Sequence, residues 1–418
     1  MLSLALDAAY AIAAAATAPW WMRKARGGWA ERFGRLDALP APSGPRLLIH
    51  AVSVGEVNLT APLVRLLAPH ADIVLSVTTD TGIARARALF GPTGPEAGLA
   101  RVVRYPLDAS WSVRRFLDAV RPSAVALVEL ELWPNFTGAC HRRGIPVAII
   151  NGRLSARSFK RYRLIRPVLA RAFGRLAFAA VQDADYAARF THMGVAPERC
   201  HVAGTMKWDS ASLETEIPGA DELARELGID RAAPLIVAGS TAPDEHELLE
   251  RATPPGVQLL CAPRKPEWFD GAAAALPSCV RRTRGGAPDP RRPRFLLDTI
   301  GELRKAYALA DVVVVGRSFG SLYGSDPMEP AALGKPVVIG PSVSDFRATV
   351  DAMLARGAIV QTDRAGLAGV LGGLIGDPGE RRALGERARE CVRSHQGAAR
   401  RHADLLMNLL RPPPGMKP

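Results

Sequence analysis

The chain has 418 residues, beyond the roughly 250–300 at which one hydrophobic core usually divides, so two domains of ordinary size plus accessories are expected. Its 48% hydrophobic and 23% charged residues exclude a disordered or fibrous chain. The formal charge of +13 favours anionic partners, unless it is simply arginine-rich codon usage; no zinc-finger spacing, aromatic RNA-binding consensus or basic zipper is present, so nucleic acid is not expected.

Residues 1–22, MLSLALDAAYAIAAAATAPWWM, carry one charge, Asp7, and match the roughly 20 residues of a membrane-spanning helix. Trp20 and Trp21 would lie at the interface, followed at once by Arg23, Lys24, Arg26, Arg32 and Arg35. This predicts an anchor on the inner (cytoplasmic) membrane with the body of the protein on the cytoplasmic side. The competing reading is an Ala-rich helix packed on the fold or lying in the interface, since Asp7 is costly at membrane depth.

After a Pro-rich link, buried strand-like runs follow at RLLIHAVSV, DIVLSVTT, SAVALVE, PVAIIN and FAAVQ, each separated by helical sequence. Residues 23–209 thus read as one doubly wound α/β domain, with HVAGTMKWD closing it. Polar residues 210–232 read as a hinge. PLIVAGS, VQLLCAP, RFLLDT, DVVVVGR and KPVVIG then predict a second α/β domain over 233–400, interrupted by the Arg- and Pro-rich stretch 281–294, read as a mobile surface loop. Residues 401–418 read as a helix end and a disordered tail. Two such units place a ligand cleft between them. The five cysteines are scattered and none forms a CxxC pair, which predicts neither disulfides nor zinc and fits a reducing compartment.

Several residues could carry chemistry. Glu56, where the first strand hands over to a helix, could be a general base, or could simply complement the first helical turn. Glu129 and Glu131 end another strand or lie out on a loop, where they could shape a site or pair with arginine. Arg264 and Lys265 end a strand of the second half and suit phosphate, or are solvated loop charges. The stretch 311–340 runs from a buried strand into a loop with Gly316, Gly320 and Gly324, then Asp326 as cap and Pro327 opening a helix. Such a loop offers backbone N–H groups to an anion, and Glu329 could bind ribose hydroxyls. The spacing is neither GxGxxG nor GxxxxGK[ST].

HAVSVGEVN, ELELWPN, INGRLSARS, GTMKWD, APRKPE and DPMEPAALGKPVVIGP, in this order, together resemble the Kdo transferases, which add 3-deoxy-D-manno-octulosonic acid to lipid A precursors. The resemblance implies a GT-B fold, with the acceptor bound by the first Rossmann-like domain and CMP-Kdo by the second, in an inverting displacement that uses neither metal nor cofactor. It implies Glu56 as base and Glu129 as a second catalytic acid. Arg264, Gly316, Ser318, Gly324, Ser325, Asp326 and Glu329 would lie around the donor, and Ser53, Arg153 and Lys207 around an anionic lipid acceptor. The family usually reads GGSLVPIGGHNPLEP where this chain has GRSFGSLYGSDPMEP, so Arg317 and Tyr323 replace glycines and Ser325 and Asp326 replace His-Asn. Two alternatives stand beside Kdo transfer: a related transferase using another nucleotide sugar, and a tethered scaffold that binds nucleotide without turnover.

Overall fold

The computed structural model describes Asp7, Tyr10, residues 27–42 and residues 44–411. Among them the chain divides into two compact units, one running up to Ser210 and resuming at Gly397, the other spanning Ala211–Gln396.

The first unit is built on a seven-stranded parallel sheet of β1 (Arg46–Ala51), β2 (Asp72–Val77), β3 (Arg101–Arg104), β4 (Ala124–Val128), β5 (Val147–Gly152), β6 (Phe178–Val181) and β7 (Cys200–Val202), in the order β3-β2-β1-β4-β5-β6-β7. Continuous apolar runs suit strands covered on both faces. In β1, Leu47 and Ile49 enter one core cluster while Leu48 enters the other, so the strand feeds both layers. Arg46, fully buried at the start of β1, donates to Asp72 at 2.7 Å and to the carbonyls of Val120 and Pro40, both at 2.6 Å. All three of its guanidinium nitrogens thereby donate at a buried position.

The second unit repeats the plan with β8 (Leu235–Thr241), β9 (Gln258–Pro263), β10 (Val280–Arg281), β11 (Arg294–Leu296), β12 (Val312–Val315), β13 (Val337–Ile339) and β14 (Val360–Gln361), in the order β10-β11-β9-β8-β12-β13-β14, again all parallel. Its main core joins Ile236 and Ala238 of β8 to Val312 and Val314 of β12 and to Leu367 and Leu371 of a covering helix.

The expected strands are present, and four more were not foreseen: β3, β7, β10 and β14, all of four residues or fewer and all next to or at a sheet edge. Short edge strands carry too little apolar pattern to stand out. The stretch read as a hinge contains the helix Ala220–Leu227, which buries Leu223, Ala224 and Leu227 within the second unit. Both ends of the 281–294 stretch are held, Arg281 by Asp298 at 2.7 Å and the buried Arg294 by Glu250 at 2.5 Å. The expected anchor at 1–22 lies outside the described residues apart from Asp7 and Tyr10, and so does the tail from residue 412. Among the described residues no helix is long and apolar enough to cross a membrane.

The last helix, Ala398–Leu410, of which 401 onwards was read only as a helix end, packs on the first unit, where Ala399, Ala403 and Leu406 join the cluster of the Val54–Leu67 helix. Asp209 fixes its start by accepting from the amides of Gly397 at 2.7 Å and Ala399 at 3.0 Å. The fully buried His402 accepts the Asn151 amide at Nε2, 2.9 Å, and its Nδ1 bonds the Ala398 carbonyl at 2.8 Å. Burial lowers its pKa and so favours the neutral ring these two bonds need. Replacing His402 by Ala leaves a buried amide unpaired and is expected to destabilise the first unit by about 2 kcal/mol, read from urea unfolding.

Candidate active site

In each sheet the strand order reverses beside the first strand, between β1 and β4 and between β8 and β12. Loops leaving such neighbouring strands part in opposite directions and open a crevice at the carboxyl edge. The residues singled out from sequence fall mostly at these two edges.

In the first unit β1 runs through Val52 into the helix Val54–Leu67, with Ser53 as its N-cap. Glu56 Oε2 accepts the Val52 amide at 2.8 Å, and Oε1 accepts the Ser53 hydroxyl at 3.2 Å. This is a capping arrangement, so the bland reading of Glu56 holds as far as it goes. It does not account for the electrostatics. Glu56 is half-buried, and its pKa is pushed up to about 7, first by burial and then by Glu129 and Glu131, against the lowering effect of the Val52 and Ser53 hydrogen bonds.

Glu129 is the first residue past β4 and sits at φ 60, a left-handed conformation costly for a side chain of this kind. Its amide donates to the Ile150 carbonyl of the neighbouring strand at 2.9 Å, which holds the turn in place. Burial raises its pKa, and Arg153 and Lys207 pull it back. Glu131 is raised by burial as well, with Glu129 adding to the effect, while it accepts the Trp133 indole N–H at 2.9 Å. Glu129 and Glu131 therefore lie out on the loop and both act on Glu56. Ser53, Glu56, Glu129, Arg153 and Lys207 form one connected electrostatic group.

Asn151 organises the basic side of this group and was missed from sequence. At φ 50 it is the penultimate residue of β5, and its Oδ1 accepts the Met206 amide at 3.0 Å, which fixes the short turn that carries Lys207. An Asn-Gly pair closing a buried strand was the available signal.

In the second unit Arg264 follows β9 with an exposed side chain, its amide donating to the Thr241 carbonyl at the end of β8 at 3.1 Å. The glycine-rich loop differs from expectation. Its amides do not stand open to a ligand: those of Arg317, Ser318 and Phe319 donate to the buried carboxylate of Glu245 at 2.8, 2.9 and 3.0 Å. Glu245 also takes the Ala242 amide at 2.8 Å. Gly316 donates to the Gly239 carbonyl at 2.8 Å, and a Cβ there would meet the Thr241 backbone at 2.6 Å, so its glycine serves close packing. Ser318 is fully buried, its hydroxyl donating to the Val315 carbonyl and accepting the Gly340 amide. Gly316 and Ser318 are thus scaffold, and an internal carboxylate fills the anion-binding role expected of a ligand.

The remaining expected donor residues lie further along. Gly324 turns at φ 86. The Ser325 hydroxyl is buried with no hydrogen-bond partner among the described residues. Asp326 Oδ1 accepts the Met328 amide at 2.9 Å at the head of the short helix Met328–Ala332. Glu329, half-buried, has its pKa raised by burial, with Arg304 opposing and Asp326 adding. Arg317 adopts φ 58, and Tyr323 is exposed. Among the described residues no three His, Cys, Asp or Glu side chains gather as metal ligands.

Glu245→Ala would leave three loop amides and that of Ala242 without their acceptor and is expected to cost about 3 kcal/mol, read as a lowered melting temperature. Arg264→Ala is expected to leave that temperature unchanged.

Comparison with known proteins bears on the family. A sequence profile described as 3-deoxy-D-manno-octulosonic-acid transferase (kdotransferase) matches residues 27–210. The 3-deoxy-D-manno-octulosonic acid transferase of Bordetella pertussis is 34% identical over 94% of this chain and 95% of its own length. That of Haemophilus influenzae is 31% identical over 90% of each. Among solved structures, a Rickettsia africae glycosyltransferase superposes with TM-score 0.57 at 10% identity over 88% of this chain and 99% of its own. The UDP-GlcNAc 2-epimerase of Neisseria meningitidis gives 0.54 at 14% identity over 87% and 100%. These likenesses show the fold, GT-B with two Rossmann-like units. Identity to the bacterial enzymes over nearly the whole length shows the rest: the chain belongs to the 3-deoxy-D-manno-octulosonic acid transferase family and is a glycosyltransferase.

Proposed function

We propose that the chain transfers Kdo from CMP-Kdo to a lipid A precursor such as lipid IVA, at the cytoplasmic face of the inner membrane and without a metal ion. The acceptor hydroxyl attacks the anomeric carbon of Kdo, the bond from that carbon to the CMP phosphate breaks, CMP departs with the bonding electrons, and Glu56 takes the hydroxyl proton. The observation that carries this reading is the Glu56 pKa of about 7, produced by burial and two neighbouring carboxylates. A base poised near the working pH transfers protons most effectively. Arg153 and Lys207, already set beside Glu129, supply positive charge for an anionic acceptor.

On the donor side Arg264 would meet the CMP phosphate, and the unpartnered Ser325 hydroxyl, Asp326 and Glu329 would meet the nucleoside. The replacements at Arg317, Tyr323 and Ser325 favour keeping a second reading, a different nucleotide sugar on the same machinery.

Membrane association draws support from the first unit's surface. Trp29, Phe33 and Trp111 are exposed and meet in two tilted ring pairs, with centroids 5.8 and 5.6 Å apart, and Arg115 lies over Trp111. Aromatic and basic side chains in combination suit an anionic interface. The helix Ala156–Leu164 buries no residue and carries Arg157, Lys160, Arg161 and Arg163, ending at the exposed Leu164 and Ile165.

Below pH about 7 Glu56 is protonated and cannot accept the hydroxyl proton, so kcat/KM for transfer should fall tenfold per pH unit on the acid side of that value. Glu56→Gln should remove at least 100-fold of the rate while CMP binding persists; near-normal rates in this variant would remove Glu56 from the role. Calorimetric titration should show CMP bound in preference to UDP and GDP and weakened about tenfold or more by Arg264→Ala. Preference for UDP would select the second reading.

A further inference from the structure

Asp7 and Tyr10, far ahead of the first strand, reach the loop between β3 and the helix Ser110–Val120. Asp7 Oδ1 accepts the Ser110 amide at 2.9 Å and the Asn135 side-chain amide at 3.0 Å, while Oδ2 accepts the Ser110 hydroxyl at 2.5 Å. The Tyr10 hydroxyl donates to Asp108 Oδ2 at 3.1 Å. Asp108 in turn caps the helix Pro134–Arg142, taking the amides of Asn135 at 3.1 Å and Phe136 at 2.7 Å, and its carbonyl takes the Asn135 side chain at 2.7 Å. The N-cap residue of that helix, Trp133, supplies no side-chain bond of its own.

The helix so capped begins directly after the loop that carries Glu129 and Glu131. Its start therefore sets where that loop ends. The Tyr105 hydroxyl, buried and without a hydrogen-bond partner among the described residues, is held well above its ordinary pKa by burial, with Asp108, Glu131 and Tyr10 all contributing. One buried group thus lies in the field of both the Tyr10–Asp108 pair and the acidic loop. An aspartate that accepts three hydrogen bonds from the folded domain is a structural part of that domain.

We propose that Asp7 and Tyr10 are positioning residues for the Glu129–Glu131 loop: by clasping Ser110, Asp108 and Asn135 they fix the start of the helix Pro134–Arg142, so the segment ahead of the first domain completes the active site in addition to any tethering it provides. The inference about rate rests on the transferase reading of the acidic loop; the docking itself does not.

The test uses the full-length chain in detergent micelles, comparing wild type with Asp7→Ala and the milder Tyr10→Phe, which removes one hydroxyl. Amide hydrogen exchange at Asn135 and Phe136 should quicken about tenfold in Asp7→Ala and less in Tyr10→Phe. With CMP-Kdo and lipid IVA, kcat should drop about tenfold in Asp7→Ala, with donor KM unchanged within twofold and binding to anionic phospholipid vesicles retained. Unchanged exchange in both variants would overturn the proposal whatever the activity. Faster exchange with wild-type kcat would overturn the positioning role, and a kcat loss that only follows lost vesicle binding would reduce the segment to a tether. Should wild type transfer no Kdo, the transferase reading fails by itself, while the exchange rates still decide the docking.

Discussion

Three carboxylates share a half-buried position at the carboxyl edge of the first sheet, and most of the reading offered here depends on that constraint. A carboxylate removed from water and set beside others resists ionisation. Glu56 reaches that state because β1 delivers it one helical turn past a buried strand, because β4 lies next to β1, and because Glu129 tolerates a left-handed backbone to turn the loop back. The capping bonds from Val52 and Ser53 hold the side chain still and moderate its pKa without cancelling the rise. On the proposed reading one residue would combine a structural and a chemical role, with the cap fixing the geometry of the base.

The second unit solves a different problem. Its loop after β12 turns so sharply that three consecutive amides converge, and a buried carboxylate from seventy-odd residues earlier, Glu245, receives them. An internal carboxylate at this place fixes the loop before any nucleotide arrives, which is a form of preorganisation. With the loop amides engaged internally, the donor is left, on the proposed reading, to side chains, Arg264, Ser325, Asp326 and Glu329. On this loop Arg317 holds φ 58, a backbone conformation more natural to glycine.

Much of this was legible in sequence for identifiable reasons. Long uninterrupted apolar runs such as DVVVV and RLLIHA mark strands covered on both faces, and the residues just beyond them, Glu56, Glu129 and Arg264, were found because parallel sheets present ligands at strand ends. What escaped was non-local. Glu245 sits in a stretch, STAPDEHE, that reads as a solvated helix start, and nothing nearby in the chain says that its partners come from residues 317–319. Asn151 and His402 meet across 251 residues. The return of the last helix to the first unit rests on an Asp209 cap and on Ala399, Ala403 and Leu406, an apolar face that periodicity reveals without naming its partner. The strands β10 and β14 have two residues each, too few for any pattern.

The central claim, sugar transfer from CMP-Kdo to a lipid A precursor, is tested most directly by incubating the protein with both substrates and weighing the lipid by mass spectrometry. The account predicts lipid IVA heavier by one or more Kdo residues, formed with release of CMP. Lipid of unchanged mass with CMP-Kdo, but of increased mass with another nucleotide sugar, would contradict it.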